Sequence, residues 1–161
     1  MLFRSQALEE GFNLAQTLNL HPLMAEIVLE QGNVYALEMI DQDPATEEFI
    51  QNGEQALRAF KQIPTLDENP RTVLQGEVNT LRLLVKLNRP IQTHELWPTL
   101  RSRLAALPPS RTSVFARINV AESLMRAWQQ PTVRVPFAPT PTQWPDSTAV
   151  MELLQDAVAQ A

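Results

Sequence analysis

The chain has 161 residues, of which 44% are hydrophobic and 19% charged, as expected for a globular protein with a buried core. It contains no cysteine, which excludes disulfides and thiolate zinc sites, and His21 and His94 lie too far apart in sequence to form a paired metal motif. The net charge of −5 disfavours duplex nucleic acid, and no apolar run of about 18 residues predicts a membrane span. We therefore expect a cytoplasmic protein with no nucleic-acid or membrane partner, no metal and no cofactor.

The charge is distributed unevenly along the sequence. Residues 1–70 carry 12 acidic and 3 basic side chains, whereas residues 71–161 carry 6 acidic and 10 basic ones. Solvated helix faces and attraction between successive repeats would both explain this asymmetry. Eleven of the 13 basic residues are arginine, so the alternative is an arginine-lined groove for acidic peptide groups, which arginine binds through two parallel hydrogen bonds.

Apolar residues recur at alternating gaps of three and four, which is the spacing of one face of a helix. Prolines and capping residues such as Asp43, Asn69, Ser110 and Asp146 separate the segments. The pattern predicts six or seven helices, at residues 4–18, 22–41, 44–62, 70–87, 93–106, 110–128 and 147–160. No segment alternates with period two, so the sequence predicts an all-α fold of antiparallel helix pairs.

The sixth helix, residues 110–128, shows the clearest stripe. Five apolar residues define the face that we expect to be buried: Val114, Ile118, Ala121, Met125 and Trp128. The polar residues Arg117 and Asn119 would then lie on other faces of this helix.

Residues 129–146 interrupt the helical pattern and hold five of the 13 prolines, which indicates an extended connection. Because this stretch also contains the apolar residues Val133, Val135, Phe137 and Trp144, we expect it to lie along the helices and to bury some of them. Trp144 has two interpretations, a packing anchor or an exposed interaction residue. The whole of residues 1–161 is expected to form one domain.

All four glycines, Gly11, Gly32, Gly53 and Gly76, fall inside predicted helices. A glycine in a helix interior costs about 1 kcal/mol relative to alanine, so these positions need a compensating reason. Gly32 and Gly53 lie on the apolar stripes of their helices. We therefore predict close helix–helix contact at these two glycines.

Successive helices with short links and small residues at contact points resemble tetratricopeptide repeats. The sequence QGNVY at 31–35 is similar to the part of the first helix of that repeat with a glycine and, three residues later, a tyrosine. The sequence EQALRAFKQI at 54–63 is similar to its second helix, with Ala56 and Phe60 in the small and aromatic positions. The resemblance implies an irregular α-solenoid with repeats longer than the usual 34 residues or so.

A closer resemblance is to the helical-repeat region of cyanobacterial proteins that carry a caspase-like CHAT domain. It rests on LPPSRTSVFARINVAESLM at 107–125, on QGN at 31–33 and on ELLQDAVAQA at 152–161. The resemblance implies a non-enzymatic scaffold that binds a protein or peptide. The alternative is a structural or regulatory segment of a larger CHAT-type protein, with no ligand of its own.

In such repeats the first helices of the pairs line the ligand groove, and here they would be the helices at 22–41, 70–87 and 110–128. The candidate partner-binding residues on them are polar and lie beside the apolar stripe: Glu30, Asn33, Glu77, Asn79, Arg117 and Asn119. Asparagine amides both donate and accept hydrogen bonds, as a peptide backbone requires, and Arg117 would hold a carboxylate without contributing to stability. We expect no catalytic residues. The apolar last helix favours self-association.

Overall fold

The computed structural model describes residues 2–129 and 144–161, with side chains from residue 6 onward. In these ranges every helix or strand element is an α-helix, which confirms the all-α prediction. The helices are α1 (Leu2–Thr17), α2 (His21–Glu38), α3 (Glu47–Leu66), α4 (Pro70–Lys86), α5 (Pro90–Ala106), α6 (Arg111–Trp128) and α7 (Ser147–Gln160). No described helix combines the length and apolar character that crossing a lipid bilayer requires.

Backbone contacts divide the chain into two compact units, Met1–Leu83 and Leu84–Ala161. We call them the N-terminal unit and the C-terminal unit, and the division falls within α4. The N-terminal unit contains α1, α2, α3 and most of α4, and the C-terminal unit contains α5, α6 and α7. The expectation of a single domain stays a prediction.

Prolines and caps predicted most helix ends to within about three residues, but α3 differs at both ends. It begins at Glu47 rather than at 44, because the Thr46 side chain accepts a hydrogen bond from Phe49 N at 3.2 Å and so caps the helix there. The predicted end at residue 62 was wrong, since α3 continues through Pro64 to Leu66. Near the end of a helix, proline removes only one backbone hydrogen bond from a turn that is already incomplete.

The fifth helix begins earlier than predicted, at Pro90 rather than at 93. Proline suits the first helical turn because the N–H that it lacks would have no partner within the helix. Pro98 lies inside α5, eight residues after its first residue.

Two helices end in the same left-handed turn. Asn19, after α1, and Asn88, after α4, both have φ of 54°. At the first, Leu20 N donates to Ala15 O at 2.9 Å and Asn19 N to Gln16 O at 3.1 Å, and the bonds around Asn88 follow the same pattern. These are the two hydrogen bonds of a Schellman motif, with asparagine at the position that usually holds glycine.

Helix α3 packs closely against both α2 and α4 in the N-terminal unit. The ring of Phe60 lies against Gly32 of α2, and the side chain of Ile63, one turn later, lies against Gly76 of α4. Both glycines and both side chains are buried. Because neither glycine has a Cβ, α3 fits against two helices at distances that a larger residue would allow only if Phe60 or Ile63 shifted.

These contacts confirm the predicted close helix–helix contact at Gly32 and show a second one at Gly76. Gly53 is buried in α3, and its role in close helix contact stays a prediction. Gly76 was not singled out from the sequence, because it lies off the stripe formed by Leu74, Val78 and Leu81.

Helix α6 buries a different face from the one predicted. Its buried residues are Ser113, Arg117, Val120, Ala121, Ser123, Leu124 and Ala127. Of the predicted stripe, Ala121 is buried and Val114 half-buried, whereas Ile118, Met125 and Trp128 are 40%, 42% and 40% exposed. The buried face is therefore displaced by one residue, because three polar side chains on it, Ser113, Arg117 and Ser123, form hydrogen bonds to main-chain carbonyls.

The predicted packing of Val133, Val135 and Phe137 lies outside the described residues. Trp144, at the start of the second described range, is half-buried. Next to it, Pro145 is buried and its carbonyl accepts a hydrogen bond from Trp128 Nε1 at 3.0 Å. This bond joins the end of α6 to the start of α7.

Replacing Gly32 with alanine is expected to lower the free energy of unfolding by about 1–3 kcal/mol. The added carbon would lie 2.7 Å from Cδ1 and 2.8 Å from Cζ of the Phe60 ring. Gly76→Ala is expected to cost less, because its close neighbour is the terminal Cδ1 of Ile63, which can move. Urea unfolding followed by circular dichroism would measure both effects.

Gly11→Ala is the matched control, because the nearest atom to its added carbon is Ile27 Cδ1 at an ordinary 3.6 Å. This change is expected to stabilise the chain by up to about 1 kcal/mol through helix propensity alone. Equal effects at all three glycines would contradict the packing explanation.

Candidate functional site

Three of the six predicted binding residues form one row of hydrogen bonds in the N-terminal unit. Asn79 Nδ2 on α4 donates to Asn33 Oδ1 on α2 at 2.9 Å, and Asn33 Nδ2 donates to Glu30 Oε1 at 3.3 Å. Both asparagines are half-buried and Glu30 is exposed. We call this set the amide row; it links α2 and α4, two of the helices expected to line a groove.

The amide row keeps unused hydrogen-bonding capacity. A side-chain amide has two N–H donors and an oxygen with two acceptor positions. The bonds within the row use one donor of Asn79, and one donor and one acceptor position of Asn33. The remaining donors and acceptors of these half-exposed amides are not used within the row.

The other predicted residues do not join this row. Glu77 is half-buried on α4, two residues before Asn79 and therefore on a different face of that helix. Asn119 is exposed on α6, in the C-terminal unit.

Arg117 does not lie beside an open groove as predicted, because it is only 1% exposed. Its Nη1 donates to Ser113 O at 3.1 Å, one turn earlier in α6, and its Nη2 donates to Leu104 O at 2.6 Å. Leu104 lies in the last turn of α5, where its carbonyl also accepts the capping hydrogen bond from Leu107 N at 3.3 Å and the helix dipole favours a cation. Arg117 therefore joins the end of α5 to α6, and a structural role replaces the purely binding role that we expected.

The C-terminal unit contains a cleft of about 310 Å³ between α5, α6 and α7. Arg117 belongs to its wall, together with Trp97 and Arg101 from α5 and Glu152 and Asp156 from α7. Arg101 Nη2 and Glu152 Oε2 form an ion pair at 2.6 Å, with both side chains about half exposed. We call this the arginine cleft.

A second cleft, of about 420 Å³, lies in the N-terminal unit between α1, α2 and α3. Its wall is mostly polar and includes three glutamines, Gln31, Gln55 and Gln62, as well as Tyr35 and Arg58. Sequence reasoning missed the walls of both clefts, since it searched the first helix of each pair, and these residues come largely from the second helices.

In the described parts of the chain, no group of three or more His, Asp or Glu side chains is placed to hold a metal ion. His94 and Glu95, which are adjacent in sequence, are both exposed on α5.

No protein-family model, curated protein or solved structure matches this chain. The functional argument therefore rests on the residues and geometry described above.

Arg117→Glu is expected to lower the free energy of unfolding by about 3–5 kcal/mol, because it would bury an unpaired carboxylate against the two carbonyl oxygens to which Arg117 now donates. Arg126→Glu is the matched control on the same helix. The Arg126 side chain is 68% exposed and pairs with Glu122, one turn earlier, so its replacement should cost about 1 kcal/mol or less. Chemical unfolding of both variants measures the difference; similar values would show that Arg117 does not anchor α5.

Proposed function

We propose that the chain is a non-enzymatic, tetratricopeptide-like scaffold that binds an extended segment of a partner protein. The observation that carries this proposal is the amide row, in which half-exposed asparagines on α2 and α4 meet at one surface. A buried asparagine pair used only for packing would be expected to satisfy itself internally. Here the pair is partly open to solvent and keeps donors and acceptors for a ligand.

The position of α3 supports the same proposal. Phe60 and Ile63 hold α2 and α4 against a common helix, so the two asparagines are presented from a rigid base. A preorganised surface loses less conformational entropy when it binds an extended peptide. The resemblance of 31–35 and 54–63 to tetratricopeptide sequence agrees with this role.

The test replaces both asparagines with leucine, as Asn33→Leu/Asn79→Leu. Exchanging both members of a hydrogen-bonded pair for apolar groups of similar size can be nearly neutral for stability, so the fold should remain. Peptides would first be selected on the parent protein from a displayed random library. Their affinity for the double variant is expected to fall on the order of 10- to 30-fold, as hydrogen bonds of about 1 kcal/mol each are lost.

Asn13→Leu is the control, because Asn13 is an exposed asparagine on α1 of the same unit. It should bind the selected peptides as the parent does, by isothermal titration calorimetry. If no peptide can be selected, the scaffold function is wrong. If the double variant binds as tightly as the parent, the surface is wrong.

A further inference from the structure

Helix α6 has a second apolar face, on the side opposite the residues that it buries in the C-terminal unit. Phe115, Ile118 and Met125 are 50%, 40% and 42% exposed. Together with the exposed residues Arg111 and Glu122, they lie at alternating gaps of four and three residues. At about 100° per residue these five positions span an arc of about 80°, so they form one continuous row. We call this set the α6 row.

The spacing of the α6 row is typical of a helix that pairs with another helix. Arg111, Ile118 and Met125 follow one another at intervals of seven residues, the repeat that keeps one seam of a helix in contact with its partner. Single apolar residues on a surface need no explanation, whereas a row at this repeat indicates a helix-pairing surface. The opposite face of α6 is already used for the core, so this surface is available to a second molecule.

The order of side chains along the row identifies that molecule. From Arg111 to Glu122 the row consists of a cation, two apolar residues and an anion, at gaps of four, three and four residues, which are the same in either direction. A second α6 lying antiparallel therefore brings each Arg111 opposite Glu122 of the other chain, and each Phe115 opposite Ile118. Two ion pairs then flank an apolar centre, and one surface serves both chains, as a two-fold interface requires. A parallel copy in register would instead place like charges together.

Both charged residues of the row can accept this second interaction. Glu122 accepts a hydrogen bond from Arg126 Nη2 at 2.6 Å, but the two side chains remain 52% and 68% exposed, and a carboxylate can accept a second cation. The Arg111 guanidinium lies 5.4 Å from the centroid of the Phe115 ring. A guanidinium stacked on a ring keeps its N–H donors for a carboxylate.

We propose that this chain forms an antiparallel dimer with a second copy of itself through the α6 row. Ile118 and Met125, which the sequence predicted to be buried, are then covered by the second copy rather than by the core of their own chain. The surface lies in the C-terminal unit and does not include the amide row, so the dimer and the proposed peptide binding can fail independently. Where both hold, the dimer presents two amide rows and gains avidity for a partner that carries the bound segment twice.

The test is sedimentation velocity of the full chain at concentrations from about 5 to 500 µM, in which the parent should change from monomer to dimer. Arg111→Glu and Glu122→Arg each turn both ion pairs into like-charge pairs. Each change is expected to weaken the dimer on the order of tenfold or more. The double variant Arg111→Glu/Glu122→Arg exchanges the two charges and should recover the parent affinity to within about threefold.

Mixing the two single variants separates a lost ion pair from a damaged fold. One variant carries two acids on the row and the other carries two arginines, so an equimolar mixture should form a heterodimer more tightly than either variant dimerises alone. Val158→Ser is the control for α7, the helix whose apolar character favoured self-association in the sequence. Val158 is 79% exposed and lies outside the row, so this change should leave the dimer unaffected.

The proposal is overturned if the parent stays monomeric over the whole range, or if both single variants dimerise as the parent does. It is also overturned if the double variant or the mixture fails to recover the dimer. Loss of the dimer in Val158→Ser would assign the interface to α7 instead of α6. Circular dichroism of each variant confirms that the helices are retained.

Discussion

The N-terminal unit depends on how closely α3 approaches its two neighbours. Phe60 and Ile63 occupy space that exists only because α2 and α4 carry glycine at the points of contact. Glycine weakens a helix by about 1 kcal/mol relative to alanine. This local loss is offset by closer packing, which buries the Phe60 ring and the Ile63 side chain, both 3% exposed or less, between three helices.

Local signals predicted the helices well because the causes of helix ends are themselves local. A capping side chain such as Ser110 acts on backbone groups within three residues. Ser110 caps α6 as the sequence predicts, and the structure adds its reciprocal hydrogen bonds with Ser113. The face that a helix buries has a different cause. In α6 it depends on Leu104 O of another helix, which gives Arg117 a reason to be buried that periodicity cannot reveal.

The candidate sites also differ in whether their causes are local in sequence. Asn33 and Asn79 were selected as candidates from the sequence because each lies beside an apolar stripe of its helix. Their hydrogen bond, which joins residues 46 positions apart, could not be predicted from that pattern. The arginine cleft was not predicted from the sequence, because its wall combines side chains from three helices and Arg117 was placed on the wrong face of α6. An arginine among apolar and small residues looks solvent-exposed until the carbonyls that it binds are known.

Glycine commonly forms the left-handed turn after a helix, but in this chain asparagine does so. All four glycines lie within helices, while the left-handed turns after α1 and α4 are formed by Asn19 and Asn88. Asparagine tolerates this conformation and has fewer accessible backbone states than glycine in the unfolded chain. The two links therefore lose less conformational entropy on folding than glycine links would, and the ends of α1 and α4 are fixed at a lower entropic cost.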